Sequence, residues 1–183
     1  MNTLINSIAK NLGFQELQKV DPNTQEVRDD KIIHGTDSLV QAAIPTVLIG
    51  IFNNLESENT AATLMHGESV NWLNTIFGNT TDQVVDKIAA YSKTAPESAK
   101  HETEHIATEA VRIVRQNISQ PNDFTAVQAF VKANRVDVLK YLPAALQIGD
   151  LVRNNNIDDR TNKMEGPVSN FMHTLEKTFN SNE

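Results

Sequence analysis

No cysteine occurs in the 183 residues, so disulfides, thiolate metal sites and cysteine nucleophiles are all excluded. Glycines number seven and aromatic residues make up 5% of the chain. No G-x-S-x-G, G-x-G-x-x-G or G-x-x-x-x-G-K pattern is present, which removes the serine nucleophile elbow and the phosphate-cradling loops. Basic charge is in deficit: 16 Lys and Arg stand against 23 Asp and Glu, a net charge of -7. That field repels phosphate backbones, and nucleic acid is disfavoured as a partner. A membrane-length apolar run is missing too. The longest nearly unbroken one extends from Ala42 to Phe52 and is closed by Gln41, Asn53 and Asn54, well short of the roughly 20 residues a span requires. Residues 1–14 hold no basic segment followed by a sustained apolar one, so a cytoplasmic address is expected.

What is abundant is Ala, Leu, Val, Asn, Gln and Glu, a mixture that suits helices better than sheets. The centre of the pattern is residues 38–55, SLVQAAIPTVLIGIFNNL. A helix apolar on all sides is buried among other helices, so this stretch predicts a core helix. Pro45 either kinks it or opens a new helix from within the first turn.

Leu4, Ile5, Ile8 and Leu12 predict a short amino-terminal helix ended by Gly13, and residues 24–55 predict one long bent helix or two meeting near Gly35. Residues 58–66 and 70–77 predict two short helices, stopped by Gly67 and Gly78. Thr80 with Gln83, and Thr94 with Pro96 and Glu97, predict caps for two further helices, the second running from residue 96 to about 118. Asp123 predicts the cap of a helix holding Phe124, Val127, Phe130 and Val131. Asn134 predicts the cap of another, holding Val136, Leu139, Leu142, Leu146 and Ile148 and repeating at Pro143 the problem of Pro45. Residues 153–166, RNNNIDDRTNKMEG, are polar enough for a loop or linker. Residues 167–180 then predict a terminal amphipathic helix with Val168, Phe171, Met172, Leu175 and Phe179 on one stripe, docked on the core or on a partner.

Ala42-Ala43-Ile44-Pro45-Thr46-Val47-Leu48-Ile49-Gly50-Ile51, an alanine-rich stretch over residues 60–65, Leu73-Asn74-Thr75-Ile76-Phe77-Gly78 and Tyr141-Leu142-Pro143-Ala144-Ala145-Leu146 follow one another in an order that resembles the YidB-like family of uncharacterised bacterial proteins, especially its longer Bacteroidetes versions. The likeness covers roughly residues 1–150. The charged HETEHIATEA run and the few glycines depart from it. The resemblance implies an all-helical fold and brings no catalytic residues.

His101-Glu102-Thr103-Glu104-His105 matches H-E-x-x-H, in which a helix sets two imidazoles one turn apart for zinc and the glutamate acts as general base. His101 and His105 are therefore the candidate metal ligands. A catalytic zinc needs a third protein ligand, and downstream only scattered residues such as Glu165 offer one. At about 100° per residue, Ala99, Thr103, Ile106, Ala110, Ile113 and Val114 form the stripe that turns inward, which sends His101 and His105 to the water side with Thr108 and Arg112. The Glu102-x-x-His105 spacing also occurs in di-iron bundles, but those need a second such pair and two more glutamates. His34, His66 and His173 are isolated and suit capping or surface roles, and Trp72 suits the core. Arg112 and Arg115 form a small basic spot, the sole support for a DNA-binding helix-turn-helix.

These readings predict an all-α, multi-helical bundle around a buried central helix at residues 38–55. The core domain is expected over residues 1–152, the polar linker over 153–166 and the terminal helix over 167–180. A non-enzymatic domain acting by protein–protein interaction or self-association through that terminal helix is expected, with no cofactor. A metal-dependent hydrolase using residues 101–105 is the alternative.

Overall fold

The computed structural model describes residues 3–21, 23–24, 27, 35–149 and 151. The expected linker at 153–166 and terminal helix at 167–180 lie outside the described residues. Within them the chain is all-α, with seven α-helices and no strand: α1 (Leu4–Asn11), α2 (Thr36–Asn54), α3 (Glu58–His66), α4 (Trp72–Phe77), α5 (Thr81–Ser92), α6 (Pro96–Asn117) and α7 (Phe124–Leu139). Short 3-10 turns follow at Gly78–Thr80 and Ala144–Leu146.

The central helix is α2. Every residue from Ser38 to Phe52 is buried, and α2 packs against each of the other six helices. An amphipathic sequence has no use in such a place, which is why the run is apolar on every side. The backbone stays helical through Pro45. Proline withholds the ladder bond to the Gln41 carbonyl, and one residue later the Thr46 hydroxyl donates to the Ala42 carbonyl at 2.7 Å. Gly35 precedes α2 with φ 58°, a left-handed value that glycine adopts without strain. A helix running unbroken through residue 35 is thereby excluded.

Among the described residues most periodic segments fall where they are expected, and the differences lie at helix ends and in the stretch after Asn134. A helix starting at Asn134 is not observed, because α7 continues to Leu139 and the Asn134 amide donates to the Phe130 carbonyl inside it at 2.8 Å. Pro143 then lies outside any α-helix, leading into the turn at Ala144–Leu146. Asp123 caps α7 by accepting from the Thr125 N–H at 2.9 Å. Thr80 stands at the start of α5, yet its hydroxyl donates backward to the Phe77 carbonyl at 2.8 Å and reaches the distant Leu151 carbonyl at 3.2 Å. Carbonyls left over at the end of the preceding helix compete for that proton. Ala95, not Thr94, is the cap position of α6, with Pro96 in the first turn.

Candidate functional site

The H-E-x-x-H segment lies in the interior of α6, a 22-residue helix opened by Pro96 and Glu97. Its inward side carries Ala99, Thr103, Ile106, Ala107, Ala110, Val111, Ile113 and Val114, all buried. Thr103, in the middle of the motif, is completely buried, and its hydroxyl donates to the Ala99 carbonyl at 2.6 Å. His101, His105, Thr108 and Arg112 are exposed. Glu102 is half-buried, with one carboxylate oxygen 3.9 Å from Nδ1 of His105.

Glu104 has a separate role. Its two carboxylate oxygens accept the backbone N–H groups of Trp72 and Leu73 at 2.6 and 2.9 Å. It therefore caps α4 from another helix, alongside Asn71, whose side chain accepts the Asn74 N–H. Charge-assisted bonds of this kind contribute about 1.5–3 kcal/mol each, and the carboxylate also complements the positive end of α4. Glu104→Ala is expected to cost about 3 kcal/mol and Glu104→Gln about half that, measured by urea denaturation. Equal stability of both variants with the parent chain would show that water replaces the carboxylate without loss.

Between α4 and α6 lies an open groove of about 460 Å³ lined by Asn71, Leu73, Lys100, His101, Glu104, His105 and Thr108. The Lys100 ammonium is turned away to Asp82 at 2.8 Å, and this contact raises its pKa. One turn beyond the histidines, Arg112 forks onto Glu109 with bonds of 2.8 and 2.6 Å. That guanidinium holds the Glu109 carboxyl below its usual pKa, assisted by the Asn11 amide at 2.9 Å. Among the described residues no three His, Cys, Asp or Glu side chains come together around a possible metal. Glu165 and the histidines at 34 and 173 lie outside the described residues. His66 is exposed as the last residue of α3.

The basic spot expected from Arg112 and Arg115 is absorbed by the fold. Arg115 donates to the carbonyls of Leu64 (2.7 Å) and Gly67 (2.6 Å), closing the end of α3, and its guanidinium lies 5.0 Å from the ring centre of buried Trp72. Trp72 and Arg115 thus clamp α3, α4 and α6 together. No local signal in the sequence marks Glu104 or Arg115 for these roles, since their partners are 31 to 51 residues away.

A second cavity, of about 440 Å³, opens at the carboxyl ends of α2 and α4, among Asn53, Asn54, Glu56, Thr75, Asn79 and Leu151. The Asn54 amide donates to the carbonyls of Gly50 and Ile76, while Arg135 bonds both Asn53 and Glu56. No helix among the described residues is long and apolar enough to cross a membrane. Comparison of the chain with protein-family models, with curated proteins and with solved structures finds no match.

Proposed function

We propose that this chain is a non-enzymatic helical module of the bacterial cytoplasm, a YidB-like protein that acts by contact with another protein or with a second copy of itself. The observation that carries the reading is the direction of its polar groups. Gln41, Thr46, Thr81, Ser92 and Thr103 are buried and bond backbone groups of their own fold. Among the described residues, Oδ1 of Asn6 is the sole buried side-chain oxygen or nitrogen without a partner. Catalysis needs convergent groups left free for a substrate, and among the described residues the interior supplies none.

The family reading rests on the sequence resemblance over roughly residues 1–150, whose segments meet in the core. Gly50 of the first quoted segment packs on Ile76 and Phe77 of another, and Gln41, just before the first, bonds Tyr141. The hydrolase alternative has less behind it, since His101 and His105 are exposed and no third ligand joins them among the described residues.

The apolar stripe at residues 167–180 is the expected contact, and it directs the test. Light scattering and partner capture are compared for the full chain and its Phe171→Asp/Phe179→Asp variant. Loss of two aromatic anchors should weaken association about 100-fold, with the helical circular dichroism signal retained. A parent chain that is monomeric at all concentrations and captures nothing would overturn the proposal.

A further inference from the structure

We infer that His101 and His105 form a two-imidazole chelate for one divalent transition-metal ion, with copper(II) preferred, on the solvent side of α6. Four residues of helix put the two Cβ atoms about 5–6 Å apart on one side. Because they sit in the interior of a 22-residue helix packed along its other side, the backbone is already arranged, and binding orders only two side chains. Both imidazoles are exposed, so an ion reaches them without opening the fold.

Their neighbours favour the same outcome. The Glu102 carboxylate, 3.9 Å from Nδ1 of His105, places a negative charge within Coulombic reach of a cation held by that ring. Lys100, which lines the same groove, is held by Asp82, and Glu104 is held by the amino end of α4. Neither competes for the ion or for the rings.

Two nitrogens without a third protein ligand decide which metal is favoured. A closed tetrahedral zinc site requires four ligands, and among the described residues no third one is at hand. Copper(II) binds imidazole most strongly of the first-row divalent ions and accepts a planar set completed by water. The groove beside the pair leaves room for those waters. Such a site binds and exchanges an ion; it lacks the enclosed geometry for hydrolysis.

The test is copper(II) titration of the full chain by calorimetry and electron paramagnetic resonance, repeated with His101→Ala, His105→Ala and a His34→Ala/His66→Ala/His173→Ala control. One equivalent should bind with a Kd of roughly 1–10 μM and show coupling to two imidazole nitrogens, with zinc about tenfold weaker. Each single variant at 101 or 105 should raise Kd at least tenfold, and the control should not. Both sites are exposed, so circular dichroism should show both variants folded. Unchanged affinity in either variant, coupling to fewer than two nitrogens, or loss of the site in the control would overturn the inference.

Discussion

Gly50→Val is expected to lower stability by about 4 kcal/mol, and Gly50→Ala by at most about 2 kcal/mol. A Cβ at this position would lie 2.6 Å from both Cγ2 of Ile76 and Cε1 of Phe77, and 2.8 Å from Cζ of Phe77. Those atoms belong to α4, which Glu104 fixes at its other end, so the short helix cannot slide away freely. Alanine regains about 1 kcal/mol of helix propensity over glycine, against an overpacking cost of about 1–3 kcal/mol. Valine has no such offset, because it adds two methyl groups and is stiff at χ1. In a domain of this size each kcal/mol moves Tm by about 2–4 °C, and thermal unfolding should therefore show the valine variant melting roughly 10 °C lower. Removing the Ile76 methyl should relieve part of the strain. Ile76→Ala is expected to cost less in the Gly50→Val background than alone, a non-additivity that marks direct contact. Additive costs would mean that α4 had already moved aside.

The close crossing at Gly50 has no counterpart in the local pattern, where a glycine inside an apolar run reads simply as a weak point. Periodicity was sufficient for α2 and α6: an all-apolar run has nowhere to go but the centre, and 100° per residue correctly separates buried Thr103 from exposed His101 and His105. Helix ends were less legible. Asn134 resembles a cap in sequence, yet residues 124–139 contain neither glycine nor proline, and α7 continues past it. Thr80 has the right spacing to Gln83 for a capping box, but the choice between the next helix's N–H groups and the previous helix's carbonyls is made by three-dimensional proximity. The bonds made by Glu104, Arg115 and Gln41 span 23 to 100 residues, beyond the reach of any local motif. The His101–His105 pair is visible as a spacing, whereas what gathers around it is a tertiary property.

Gln41→Ala is expected to cost about 3–4 kcal/mol, for a reason the apolar surroundings of α2 conceal. Gln41 is 1% exposed. Its Oε1 accepts the Gln18 N–H at 2.9 Å, and its Nε2 donates to the carbonyls of Gln18 and Tyr141, each at 2.9 Å. One side chain thereby ties the irregular stretch at residues 15–20 and the end of α7 to the central helix, beside the Val20 N–H bonded to the Lys140 carbonyl. Removing it orphans three backbone groups at about 1 kcal/mol or more each and opens a cavity. Gln41→Leu refills the volume and leaves the groups orphaned, so it should recover only the cavity part, about 1–2 kcal/mol. Gln41→Glu discriminates further. An ionised carboxylate facing two carbonyl oxygens is repelled, which raises its folded pKa above the unfolded value of about 4.3. The folded state then binds more protons, so this variant loses stability as pH rises through that folded pKa and regains it as pH falls toward about 4.3. Urea titrations at pH 7 and pH 5, with hydrogen exchange at the Gln18 amide, read both effects. A Gln41→Leu variant as stable as the parent, with unchanged Gln18 protection, would show that the clamp holds nothing that packing does not already hold.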